Sequence, residues 1–191
     1  MAEPVDKTQN LAAKLNIVLH EPRIPQNTGS IARLCACIGA RLHLIHPLAF
    51  KIDEASVRRA GLDYWEYVDI VEHANWDAFL ATEKPQSVFL FTKWADRPYH
   101  EADLRPPAYL VFGNESVGLH PELHAQYEGN RLWIPMRSDI VRSLNLAQAA
   151  AVAAYESLRQ EGFSELEHFA ETPRGGIKIP TVQPPPAHLV P

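Results

Sequence analysis

Short apolar runs alternate with longer amphipathic or polar stretches along this chain, and that alternation sets the expected elements. Residues 15 to 20 read Leu-Asn-Ile-Val-Leu-His, a β-branched run of strand length. A turn-rich stretch from Glu21 to Asn27 follows, carrying Pro22 and Pro25. Asn27 or Thr28 is the expected N-cap of a helix to about Ile38, and Gly39 suits the position just past its end. Residues 41 to 46 read as a strand stopped by Pro47. Short helices are expected over 53–60 and 76–82, with a strand over 68–71 between them. Strands follow at 87–92, 108–112 and 131–136. The longest helical stretch runs from Leu144 to Gln160, with Gly162 near its end. It is Ala-rich, which implies close approach to another helix, either a core neighbour or a second copy.

Strands separated by helices predict a mostly parallel α/β sheet with flanking helices. The strands lack clean in/out alternation, which predicts burial on both faces. From about Gly162 prolines accumulate, so 162–191 is expected to be an extended tail. The first 13 residues read as a flexible lead-in, leaving 14–161 as the domain.

Composition narrows the class. At 46% hydrophobic and 21% charged, the 191 residues exclude wholesale disorder. No apolar run approaches the roughly 18 residues of a membrane span, and no secretory leader pattern opens the chain. The two cysteines, Cys35 and Cys37, exclude a disulfide scaffold. At i, i+2 on a helix they do not face each other and read as small core residues. A reducing cytoplasm is the expected address. The nine histidines show no metal-ligand spacing, so no metal is expected. Net charge is −5 with no dense Lys/Arg tract, so a nucleic-acid partner would be met by a local patch.

Three strand exits carry unusual chemistry, and ligands of open α/β sheets sit beyond the carboxyl ends of strands. Asn27-Thr-Gly-Ser-Ile-Ala-Arg33 offers free N–H groups at a helix start and an arginine about two turns in. A capped helix with a solvated arginine is the plain alternative. Phe112-Gly-Asn-Glu-Ser-Val-Gly118 leaves a buried strand through two glycines. It matches no phosphate-loop fingerprint, and Glu115 would repel phosphate. Ile134-Pro-Met-Arg-Ser-Asp-Ile-Val-Arg-Ser-Leu-Asn145 runs from a strand into a polar loop, where Ser143 or Asn145 caps the long helix.

Together these segments resemble the SPOUT methyltransferases that act on the tRNA wobble ribose, the tRNA (cytidine/uridine-34)-2′-O-methyltransferase family. The resemblance spans Leu15 to Gln160. It rests on residues 15–35, on Arg-Arg-Ala-Gly-Leu-Asp-Tyr at 58–64, on Phe-Gly-Asn-Glu-Ser-Val-Gly-Leu at 112–119, and on Ile-Pro-Met with Arg-Ser-Leu-Asn-Leu over 134–146.

The resemblance implies an α/β fold with a C-terminal trefoil knot, a homodimer, and S-adenosylmethionine bound in the knot without a metal. The loops after Thr92, Gly113 and Met136 would form the cofactor pocket. Its contacts fall on Phe91, Thr92, Gly113, Ile134 and Ser143, with Met136 and Leu144 beside them. The implied catalytic residues are Arg33, Asn27, Glu115, Ser143 and Asn145. Arg23, Arg137 and Arg142 flank the loops and are expected to contact phosphates of the tRNA anticodon arm. Guanidinium stays charged, which favours Arg33 as a phosphate clamp over a proton acceptor. Methylation of another tRNA or rRNA ribose, and a non-catalytic RNA-binding module on the same fold, are the alternatives.

Overall fold

A computed structural model describes residues 15–50, 67–137, 139–164 and 166. The helix expected over 53–60, the 58–64 motif, the first 13 residues and nearly all of the tail beyond 164 lie outside them. The elements are β1 (Asn16–His20), α1 (Pro25–Ile38), β2 (Arg41–Ile45), β3 (Asp69–His73), α2 (Trp76–Glu83), β4 (Val88–Phe91), β5 (Arg97–Pro98), a 3₁₀ turn (Tyr99–Glu101), β6 (Tyr109–Phe112), α3 (Pro121–Gln126), β7 (Arg131–Trp133) and α4 (Leu146–Gln160).

The strands form one sheet in the order β3-β2-β1-β6-β4-β7-β5. Every neighbouring pair is parallel. The central strands are buried on both faces, as their continuous apolar runs predict. On β1, Ile17 and Leu19 face a core shared with α1 and α4, while Val18 faces the opposite core with Phe79 and Leu123. On β6, Leu110 and Phe112 take the first side and Val111 the second.

Helix α1 starts earlier than its expected cap. Ile24 is the N-cap without a side-chain bond, and Pro25 opens the helix. Proline fits there because its missing N–H would have lacked a helical partner anyway. Asn27 and Thr28 lie inside the first turn, buried, with backbone N–H groups on Ile24 O at 3.1 and 3.3 Å. The helix ends at Gly39 in the left-handed conformation, φ 68°, as expected. Cys35 is buried and its thiol is pushed up to about 12 by that burial. Cys37 is exposed, a correction to the core placement expected for both cysteines.

The Ala-rich helix finds a core neighbour. Ala150, Ala153 and Ala154 are fully buried, and α4 packs on α1 and β6. Its last turns are pinned to the segment before β6. Ser157 Oγ donates to Leu104 O at 2.6 Å, and the Gln160 amide accepts from Leu104 N at 2.8 Å and donates to Ala102 O at 2.9 Å.

Under the other face, His43 is fully buried between β1 and β3. Its Nε2 pairs with Asn16 Oδ1 at 3.1 Å and its Nδ1 with His73 Nε2 at 3.0 Å. Asn16 Oδ1 can only accept, so Nε2 donates and Nδ1 accepts from His73. Both ring nitrogens are thereby used by a neutral imidazole. Burial, then the nearby His73 and Arg41, push the His43 pKa down to about 3 from its ordinary 6.5. Burial also lowers His20, His73 and His124.

A histidine neutral in the native state but free to protonate when unfolded removes stability as pH falls below its unfolded value. Urea unfolding midpoints should therefore drop from pH 7 to pH 5, with His43 alone contributing about 2 kcal/mol of that loss. His43→Gln should flatten the slope, and an unchanged slope would refute the assignment.

Candidate active-site cleft

The carboxyl ends of β1, β4, β6 and β7 open on one cleft of about 1310 Å³. Parallel strands deliver their following loops to the same edge, so four distant segments of sequence meet there. Every residue expected to bind the cofactor lines this cleft: Phe91, Thr92, Gly113, Ile134, Met136, Ser143 and Leu144. Asn27, Glu115, Asn145 and Arg142 line it too.

The loop after β6 is built around two glycines and an asparagine. A Cβ at Gly113 would run into the backbone of Gly118 and Leu119, so only glycine lets the two limbs close. Gly118, at φ 81°, turns the chain back. Asn114 and Gly118 exchange backbone bonds at 3.1 and 2.8 Å. The Asn114 side chain accepts from Ser116 N and Val117 N, an Asx turn, and donates to Glu21 O at 3.1 Å. Glu21 is held in the left-handed region at φ 53°, its N–H on Ile45 O at 3.0 Å and its carboxylate 3.4 Å from His120 Nε2.

Glu115 reaches across to the start of α1. One oxygen accepts from Arg23 N at 2.8 Å; the other accepts from Ile24 N at 3.2 Å and from the Asn27 amide at 3.0 Å. Asn27 Oδ1 in turn accepts from Asn145 Nδ2 at 2.9 Å. Asn145 Oδ1 caps α4, accepting from Ala147 N at 2.9 Å and Gln148 N at 3.4 Å. Glu115, Asn27 and Asn145 thus form one hydrogen-bonded line joining the three loops. Asn145, and not Ser143, is the α4 cap.

The expected arginines are not gathered there. Arg33 is exposed just over two turns into α1 and is not among the residues lining the cleft. Arg23 and Arg137 also lie off its walls. Arg137 pairs with Asp139 at 2.9 Å in a largely exposed bridge, and that hydrogen bond lowers the Asp139 pKa. On the β7 side, Arg131 clamps Asp96, which also accepts from Gly129 N at 3.1 Å. The Arg131 hydrogen bond pulls the Asp96 pKa down.

Sequence reasoning missed this brace, because β5 is only two residues long and aligns Asp96 through tertiary pairing. It also missed α3, although the proline at its N1 position was a readable signal.

Each loop tie should be measurable in urea unfolding. Glu115→Ala strips three donors of an anionic acceptor and should cost about 1–3 kcal/mol. Gly113→Ala should cost at least as much, since backbone must move. A Glu115→Ala protein as stable as wild type would show that the carboxylate does not hold the loops.

The model of the SpoU rRNA Methylase family matches residues 14–155. The tRNA (cytidine(34)-2′-O)-methyltransferase of Saccharophagus degradans is 47% identical over 151 residues, covering 78% of this chain and 97% of that protein. A putative RNA methyltransferase from Bacillus anthracis superposes with TM-score 0.77 at 39% identity, covering 81% of this chain and 98% of that one. The methyltransferase AviRb from Streptomyces viridochromogenes, solved in complex with AdoMet, has TM-score 0.68 at 26% identity, covering 85% and 66%. A matching family model over most of the domain, with the Saccharophagus degradans and Bacillus anthracis proteins aligned along nearly their whole length, makes this chain a member of the SpoU methylase family, whose parallel α/β fold it shares.

Proposed function

We infer that this chain is an S-adenosylmethionine-dependent methyltransferase that modifies the ribose 2′-hydroxyl of tRNA nucleotide 34, a cytidine or modified uridine. The observation that carries this reading is the convergence of the three motif loops on one cleft, joined by the Glu115–Asn27–Asn145 line. The near-full-length likeness to a cytidine-34 enzyme supplies the nucleotide.

The cleft fits the cofactor. It is large enough for a nucleoside, and Gly113 lets the loop that forms one of its walls close tightly, its backbone lying against Gly118 and Leu119. Phe91, Thr92, Gly113, Ile134, Met136 and Leu144 would hold it, largely through backbone and apolar contact. S-adenosylmethionine supplies an electrophilic methyl group on a sulfonium. What the protein must add is mainly position, holding acceptor oxygen and methyl carbon about 3–3.5 Å apart.

The side chains divide that work. Glu115, Asn27 and Asn145 spend their polar atoms on one another and on backbone, which makes them positioning residues. Ser143, exposed on the cleft wall, is available to the ribose. Arg33 is the candidate clamp on the adjacent phosphate, favouring loss of the hydroxyl proton by electrostatics.

Arg33 stands outside the cleft, so the proposal includes a homodimer in which a second copy completes the site. Outward-facing Val152 and Tyr155 on α4, 37% and 48% exposed beside α1, offer the apolar surface for pairing. Arg23, Arg137 and Arg142 would meet tRNA phosphates, with Arg137 exchanging Asp139 for phosphate at small cost, since exposed ion pairs contribute only about 0–1 kcal/mol. Residues 14–161 would be the catalytic unit. No helix among the described residues is long and apolar enough to cross a membrane. A tRNA substrate favours a cytoplasmic address.

Incubation with methyl-labelled S-adenosylmethionine and unmodified tRNA should place label on ribose 34. Label at another ribose would move the substrate, and absence of transfer with any RNA would remove the reading. Arg33→Lys keeps the charge but loses the bidentate fork, and its kcat/KM should fall at least about tenfold with cofactor affinity intact. Light scattering should give twice the chain mass.

A further inference from the structure

The loop between β4 and β5 carries a residue that the cleft chemistry does not use. Trp94 lines the cleft yet is 69% exposed. A single exposed apolar side chain is ordinary on a protein surface. Trp94 differs in three respects. Its loop is braced at both ends, by Thr92 Oγ1 accepting from Trp94 N at 3.2 Å and by the Asp96–Arg131 clamp. Lys93 holds its ammonium 5.0 Å from the indole centroid, a cation–π contact. The loop also begins at Thr92, on the wall that would seat the methyl donor.

A rigidly carried, water-exposed aromatic face with its own adjacent cation is the chemistry that binds an unpaired nucleotide: the ring stacks on the base and the ammonium meets the phosphate. An anticodon loop presents such bases. At net charge −5 the chain gains little from bulk electrostatics, which raises the share that stacking must supply.

We propose that Trp94 is the stacking platform for an unpaired anticodon-loop base at or beside the target nucleotide, with Lys93 on the neighbouring phosphate. The proposal rests on the wobble-ribose reading above and names how that site grips its RNA. A residue seating the cofactor would be expected deeper in the cleft than a side chain 69% exposed.

The test compares wild type, Trp94→Ala and Trp94→Phe with an unmodified anticodon stem-loop RNA. Trp94→Ala should raise KM for the RNA roughly 5- to 100-fold, with Trp94→Phe recovering most of it. KM for S-adenosylmethionine, the unfolding midpoint and the dimer mass should not move. The stem-loop should also quench wild-type tryptophan fluorescence more than that of Trp94→Phe, a readout that needs no turnover.

An unchanged RNA KM and equal quenching would overturn the proposal. So would a rise confined to the cofactor KM, placing the indole on adenosine, or dissociation of Trp94→Ala into monomers, placing it in a subunit interface. If wild type methylates no RNA, the functional reading fails, and the quenching comparison still decides whether Trp94 stacks on a base.

Discussion

Three donors from the start of α1 converge on the carboxylate of Glu115, and the cleft depends on that convergence. The bonds from Arg23 N, Ile24 N and the Asn27 amide span 92, 91 and 88 residues of sequence. They do locally what α1 cannot do for itself: its first turn has no acidic residue, and Ile24 provides no side-chain cap. Glu115 brings the negative charge that the helix's positive end favours, from a different loop. Because Asn27 hands its other amide atom to Asn145, the cap of α4, the same interaction fixes the third loop. Two helix starts and a strand exit are thus oriented by one line of polar atoms.

That line forms because the sheet is parallel. β1, β6, β4 and β7 all end at one edge, so the segments after them meet regardless of separation along the chain. The close approach is bought with unusual backbone: Glu21 sits at φ 53°, and Gly113 abuts Gly118 and Leu119 where no Cβ fits. Non-glycine residues hold such conformations only where surrounding bonds over-determine them. Here Ile45 O and the Asn114 amide fix the two sides of Glu21.

What the sequence disclosed follows from how each feature is encoded. The strands with continuous apolar runs and the Ala-rich helix were legible because burial on two faces leaves a local pattern. The cofactor-side residues were implied by the family resemblance, and all seven fall on the cleft. Asn27 read as a cap because short polar side chains before a helix usually are caps. Its amide is instead taken by Glu115, a partner no local window contains. The His43–His73–Asn16 network joins three strands through single residues on each and was invisible for the same reason. Trp94 had no pattern around it, since its significance is its place on the rim.

The charge arrangement bears on how an acidic chain handles a polyanion. Near the cleft, Arg131 is clamped on Asp96, while Arg137 holds Asp139 in an exposed pair that a phosphate could replace. The charge of Glu115 is turned toward the start of α1, where its two oxygens receive three donors. The positive groups on the cleft wall outside those pairs include Lys93 and Arg142, one on each of two loops that flank the cofactor site. With few such cations among the described residues, the site would fix RNA by shape, by a stacked base and by a few phosphates. That favours a substrate already presenting unpaired bases, such as an anticodon loop, over a duplex that would have to be opened. It also assigns discrimination to the cleft's geometry, which the Glu115 line maintains, and leaves little of it to long-range attraction.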